Sequence, residues 1–533
     1  MKKLVVSATF FALLFSTSAL VWGQGSAESS VRGNLSGVVV DNTGAVVPGA
    51  KITMNGPLGT RTVTSNPAGQ FQFPLLTPGF YGLKVEKQGF KSADIKSVEV
   101  VTNKTSNVRI GMVPGEASTV VEVSANAITV DTTSTAVSSN LTDTFYSQVP
   151  VPRGVTGLFY AAPGVSGGGG SGAANPSISG GTGLENNYIA DGVSITDGGF
   201  GGIGVYSRVY GSLSTGINLS FVKEVQVKTG GFEAQYGKST GGIVQIVTKS
   251  GSNQYHGSLG AFIAPDSLEA SRKHPDDFGR FNLLGKTIHQ GNYDLDGEIG
   301  GYVPGMKDHL FFFGSFNPSF NRNYDQFAQF KNPTDLGTAG LGPIPPVSLG
   351  NVDLRNVVYN YAGKLTFKIA QNHQLEASIF GDPTRTNFAP NGFLNTSNTT
   401  VEDKLKFGTR NAVVRYNATL SPTWLANLSA TWGHNGLQDD PLDPNVYSVT
   451  DFTQRSPCTL TGGAPNPSCI SPSQPLRGSY QRQGFGYGED TAGNNWGFNV
   501  DTSKTFNAMG QHNATIGYHF DYDTYNGRRF RTG

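Results

Sequence analysis

Between residues 221 and 262 apolar and polar positions alternate in two short runs separated by glycine: FVKEVQVKTGGFEAQYGKSTGGIVQIVTKSGSNQYHGSLGAF. A period of two predicts strands over residues 222–228 and 242–249. Val225 and Val227, with Val244 and Ile246, then share a small core, and Glu224, Gln226, Lys228, Gln245 and Lys249 are expected on a wetter face. The connection between the runs is Gly-rich and carries Phe232, Tyr236 and Gly237. A turn at 250–253 leads into a strand of a different kind, so the segment is expected to be the hinge between a compact domain and a large sheet.

Upstream, residues 31–115 predict a self-contained β unit. Its short strands are punctuated at Asp41-Asn42-Thr43-Gly44, Pro48-Gly49, Asn66-Pro67, Pro78-Gly79 and Gly89. Phe71 and Phe73, then Tyr81, Leu83 and Val85, alternate as one buried face of a sandwich would. Residues 142–160 read as a short helical region interrupted by Pro150 and Pro152. The Gly/Ser tract at 167–172 is not a phosphate loop, because no G-K-[ST] follows it. Tyr188-Ile189-Ala190-Asp191-Gly192-Val193 contains an Asp-Gly pair suited to a two-residue hairpin turn.

Beyond about residue 252 the segments lengthen to roughly ten residues, as a tilted membrane strand requires. Candidates are 257–263, 292–303, 309–317, 357–369, 374–380, 412–420, 424–431, 496–504 and 512–522. In one of them Tyr359, Tyr361, Gly363, Leu365, Phe367 and Ile369 are placed to face lipid, and Asn360, Ala362, Lys364, Thr366 and Lys368 to face a lumen. Long polar connections at 321–351, 382–406 and 433–481 alternate with short ones.

Composition agrees with an all-β chain: 71 of 533 residues are Gly and only 14% are charged. A net charge of +1 gives no electrostatic case for nucleic acid. Residues 1–23 form a secretory signal, with Lys2 and Lys3 ahead of an apolar core and cleavage after Gly23 or Ala27. No Cys stands at that junction to carry a lipid anchor, and no later run reaches 18 apolar residues. Cys458 and Cys469 are expected to form a local disulfide in an exported loop. The eight His are scattered without metal spacing, and no G-x-S-x-G elbow is present, so neither catalysis nor a cofactor is expected.

The EVQV…GGFEAQYGKSTGGIVQIVTKSGSNQYHGS run resembles the end of the plug of TonB-dependent outer-membrane receptors, joined to the first barrel strand. It is closest to the Oar-like receptors with an N-terminal carboxypeptidase-regulatory-like domain. The G-V-V-V-D…G-A-V-V-P-G-A and G-Q-F-Q-F…P-G-F-Y patterns of residues 31–115 are similar to that sandwich. This unit contains no His, which excludes zinc peptidase chemistry.

The resemblance implies an all-β-dominated chain: a signal at 1–23, the β-sandwich at 31–115, an α+β plug at 118–250, and an incomplete transmembrane antiparallel β-barrel at 252–533. Such barrels close at about 22 strands, so nine candidates lead us to expect the N-terminal part of a longer receptor. The sandwich would lie in the periplasm of a Gram-negative-type bacterium and the barrel in outer-membrane lipid. The implied function is TonB-coupled, plug-gated uptake. The inner-membrane TonB complex would be the partner, and a siderophore, cobalamin, glycan or peptide the ligand. Val120, Val121, Glu122 and Val123 occupy the place of the TonB-pairing segment, Tyr188, Asp191 and Gly192 the plug motif, and Phe200, Tyr206 and Tyr210 a ligand loop. An Oar-type adhesion or surface-organising protein without transport is the alternative.

Overall fold

A computed structural model describes residues 31–115, 120–122, 136–149, 151, 154–168, 172–268, 284–329, 347–388, 394–395, 403–421, 423–447, 449–452, 479–483, 486–509 and 511–533. The expected signal at 1–23, Val123 and the Cys458–Cys469 disulfide lie outside these residues.

The N-terminal unit contains β1 (Gly33–Asp41), β2 (Lys51–Gly56), β3 (Gly59–Thr64), β4 (Gln70–Leu76), β5 (Gly79–Glu86), β6 (Ser92–Val100), β7 (Thr105–Met112) and β8 (Val120–Glu122). They make two sheets, ordered β4-β1-β7 and β3-β2-β5-β6-β8. Inward positions such as Leu35, Ile52, Phe73, Leu83, Val85 and Ile110 are almost completely buried in one apolar core. Each is worth about 1.5–3 kcal/mol of transfer free energy.

The plug begins with β9 (Val137–Thr142) and two short helices, α1 (Asp143–Gln148) and α2 (Thr156–Phe159). There follow β10 (Val165–Ser166), β11 (Ser177–Ile178), β12 (Asn187–Ala190), β13 (Val193–Ser194), β14 (Val205–Ser207), β15 (Gly211–Ser214), β16 (Val222–Gly230) and β17 (Ile243–Thr248). Its main sheet is ordered β13-β12-β17-β16-β9, which leaves β9 at an edge. Val225, Val227, Val244 and Ile246 are buried in the plug core, which continues into Phe313, Ala362, Phe380 and Val413 of the large sheet.

One expectation is corrected here: Glu224, Gln226, Lys228 and Gln245 are not on a wet face but are each at most 1% exposed. Other parts of the chain cover them, as described below.

The large sheet contains β18 (His256–Ala264), β19 (Leu284–Tyr302), β20 (Leu310–Gln329), β21 (Val347–Ala370), β22 (His373–Gly381), β23 (Thr384–Phe388), β25 (Asp403–Ser421), β26 (Trp424–Pro441), β29 (Tyr487–Asn507) and β30 (Gln511–Arg531). A small separate sheet joins β24 (Leu394–Asn395), β27 (Val449–Phe452) and β28 (Ser479–Gln483). Neighbours in the large sheet pair antiparallel in chain order. β22 and β23 both pair with β21 and β25, so they are two halves of one pass, interrupted at Asp382-Pro383 where proline cannot donate to the ladder. Each of the nine segments expected from sequence overlaps one of these passes.

The strands are longer than expected, however, and much of 321–351 and 382–406 is strand rather than loop. The outward row of β21 shows why. From Val357 to Ile369 it is mostly apolar, about 12 steps of ~3.3 Å, which at a 45° tilt spans roughly the apolar band of a membrane. Beyond that band Asp353 and Arg355 point outward and pair with each other at 2.7 Å. The ladder continues there while the alternation signal stops. Inward, Asn360, Lys364 and Thr366 are buried, as the expected lumen face requires.

Candidate functional site between plug and barrel wall

The Asp191-Gly192 pair sits between β12 and β13 with φ of 44° and 83°. Both values are positive, as the tightest hairpin turns demand, and Ala190 pairs directly with Val193 across it. The turn also carries charge. The buried Asp191 carboxylate accepts from Thr248 N at 3.0 Å and Thr248 Oγ1 at 2.6 Å, and pairs with Lys364 Nζ at 3.0 Å. Arg415 donates to the Asp191 carbonyl at 2.6 Å and to Glu376 Oε1 at 3.1 Å. Glu376 Oε2 in turn pairs with Arg32 of the sandwich at 2.6 Å. Three parts of the chain thus meet in one buried ionic network. Burial opposes the Asp191 charge, but Lys364, Thr248 and Arg415 outweigh it and hold the carboxyl below its ordinary range.

Tyr188 stacks on Phe159 with ring centroids 6.1 Å apart, and its hydroxyl donates to the Gly183 carbonyl at 3.2 Å. Burial pushes this phenol up to about 12, so it stays neutral. It serves the plug core.

Higher in the plug, Asp197 organises the loop that carries the aromatic candidates. Its carboxylate accepts from the backbone of Gly199 and Phe200, both at 2.9 Å, and from Asn435 of β26 at 3.1 Å. Phe200 lies between Tyr206 and Tyr525, with centroids at 6.0 and 6.2 Å. Tyr210 points elsewhere: its hydroxyl donates to Asp439 at 2.6 Å. Ser207 donates to Glu489 at 2.8 Å, and Gly216 N donates to Asp382 at 2.8 Å.

Tyr210, Ser212 and Leu213 then form one side of a cavity of about 570 Å³, whose other side includes Asn323, Asn356 and Phe407 of the wall. The structure therefore separates the three aromatic candidates. Tyr210 lines the cavity, whereas Phe200 and Tyr206 pack towards β30. Sequence reasoning missed Asp197, Glu376 and Arg415. For the last two the available signal was a charge at an inward position of an amphipathic membrane strand.

Val120–Glu122 forms β8, paired in parallel with β6 at the end of the larger sandwich sheet. The short connections 303–309 and 371–372 of the large sheet lie on the sandwich side: Asn253 N donates to Pro57 O at 2.9 Å, Lys368 Nζ donates to Leu58 O at 3.2 Å, and Asn372 lines a cleft with Met54 and Tyr81. Short turns mark the periplasmic end of a barrel. Among the described residues, no three His, Cys, Asp or Glu side chains gather to hold a metal, and no helix is long and apolar enough to cross a membrane.

Residues 34–113 match the family model described as the carboxypeptidase regulatory-like domain. Over 344 residues the chain is 31% identical to the TonB-dependent transporter Oar of Myxococcus xanthus, a match covering 62% of this chain and 31% of that protein. The chain is similar to Oar-like TonB-dependent outer-membrane receptors. The outer membrane transporter YddB from Escherichia coli shares its fold, with a TM-score of 0.50 at 13% identity, covering 72% of this chain and 48% of the other. The chain therefore spans about a third of the Oar relative's length and about half of YddB's. Both relatives are named as transporters, and by this likeness the large sheet corresponds to a barrel wall and the unit packed against it to a plug.

Proposed function

We propose that the receptor takes up a ligand across the outer membrane by TonB-coupled movement of the plug. One observation carries this reading: a single plug unit joins a ligand-sized cavity to a candidate pulling point. At its top, Tyr210 and its neighbours line the cavity. At its bottom, edge strand β9 follows the 118–125 stretch, whose Val120–Glu122 part is already extended at a sheet edge. Val120, Val121, Glu122 and Val123 would pair with the energising protein by strand addition, which needs backbone groups more than side-chain identity. The polar plug–wall contacts suit a moving part, because polar groups released from a lumen are taken up by water, unlike the apolar contacts the plug core makes with Phe313, Ala362, Phe380 and Val413. The mechanism is a shift between closed and open populations, without bond chemistry.

The ligand class is one of siderophore, cobalamin, glycan or peptide. Uptake of labelled members of each class should be measured in cells carrying the receptor, with and without residues 118–125. Energy-dependent uptake that disappears with the deletion supports the reading. Loss of cell–cell or surface attachment, with no uptake of any ligand, would replace it with adhesion.

A further inference from the structure

The sandwich does more than hang beneath the barrel. Its β6–β7 turn enters the plug at residues 101–104, where Thr102 is fully buried and Asn103 adopts φ 57°. Thr102 N donates to both Glu224 carboxylate oxygens, at 3.1 and 3.0 Å, and Thr102 Oγ1 donates to Oε2 at 2.9 Å. The Thr102 carbonyl accepts from Gln226 of β16 and from Asn140 of β9, both at 3.1 Å. Asn140 also donates to Glu224, and its Oδ1 accepts from Gln226 at 3.3 Å. Asn103 reaches Glu233 at 3.4 Å, and Glu233 pairs with Lys228 at 2.7 Å. Three segments distant in sequence are therefore joined at one buried node: the sandwich turn, β9 and β16.

The sandwich is itself fixed to the wall. Arg32, just before β1, holds Glu376 of β22, while Pro57 and Leu58 accept from Asn253 and Lys368. A body anchored to the barrel thus holds the middle of β9. That strand pairs only on its β16 side among the described strands, and an edge strand is the first to peel from a sheet.

We infer that the sandwich domain is a clamp on the plug: its Thr102 turn locks β9 against peeling, so the plug opens only after the sandwich undocks. That a pull begins at residues 118–125 rests on the function proposed above; the clamp itself does not. Because the point of pull lies between the clamp and β9, load reaching β9 unzips it towards Asn140 and stops at the Thr102 carbonyl.

The test changes only the sandwich and reads the plug. In the full-length receptor, without ligand or energising partner, amide hydrogen exchange of residues 137–142 is compared between the native protein and the Arg32→Leu/Thr102→Pro double variant, in which proline removes both the N–H and the hydroxyl that Glu224 accepts from. Exchange in β9 should quicken about tenfold or more while that in β12 stays as it was. A second measurement uses a receptor lacking residues 34–113, scored for surface level and for entry of a bulky antibiotic. Normal surface level with several-fold greater entry is expected. Unchanged β9 exchange in the double variant, or unchanged entry in a normally displayed deletion, overturns the clamp. Failed uptake with altered β9 exchange overturns the transport reading alone.

Discussion

The sandwich and the plug are both small β units, but they are held in different ways. The sandwich closes on an unbroken apolar core, with Ile52, Phe73 and Val85 at 0% exposure. The plug has such a core on one side only. That core runs on into Phe313, Ala362, Phe380 and Val413 of the wall, while the plug's remaining contacts to the wall and those to the sandwich include buried carboxylates, amides, a lysine and arginines. An apolar core gains from contact with almost any apolar neighbour. A buried ion pair is near neutral when complete and costly when one member is missing. The sandwich is therefore built to stay folded, and the plug interface to fit one geometry and then release into water.

Glu376→Ala should be the harshest test of that contrast. It leaves Arg32 and Arg415 without their shared partner, at a cost of about 3–5 kcal/mol in plug retention, measured as the denaturant midpoint for plug release. Replacing Glu376, Arg32 and Arg415 together by apolar residues of similar size should recover most of the loss; failure to recover would put the interface on the same footing as a core. Leu83→Ala should cost about 2–5 kcal/mol and affect the sandwich first, seen as faster exchange of β5 and β6 amides.

A subtler effect is expected from pH. Burial raises the Glu224 carboxyl above its ordinary range, against the pull of Asn140, Thr102 and Lys104. The docked state then binds the proton more tightly than the released state does. Docking should be strongest below the released-state pKa and weaken as pH rises towards the docked one. Glu224→Gln should flatten this dependence in the exchange of residues 100–106.

Gly192→Ala should cost about 1 kcal/mol, because φ 83° strains any residue with a Cβ. It is read as a lowered midpoint without loss of the Asp191 ion pair. Asp353→Ala, at an exposed pair with Arg322 and Arg355, should change stability by less than about 1 kcal/mol, an effect that salt removes.

The same contrast explains what could be read in the sequence. The sandwich face Phe71, Phe73, Tyr81, Leu83 and Val85 was legible because one periodic core leaves one periodic trace. The barrel passes were legible over the apolar band and lost beyond it, where Asp353 and Arg355 replace apolar residues on the outward row. Glu224 and Gln226 read as a solvated face, since alternation records polarity and not what lies opposite. Their cover is Thr102, more than a hundred positions away. Asp191 was legible as a turn residue from its neighbour Gly192. Its partners Lys364 and Arg415 come from strands whose register with the plug no local pattern encodes.

The two-sided plug strand β16 also restricts how this architecture can be rearranged. Along it, successive residues answer to different neighbours: Val225 and Val227 to the plug core, Glu224 and Gln226 to the sandwich turn. A chimera that moved this plug into another barrel without its sandwich would leave a buried glutamate and glutamine with half their partners gone. The workable unit of exchange is the sandwich and plug together, with cut points before Arg32 and after Lys249 and with the wall residues Lys364, Glu376 and Arg415 carried across as a set.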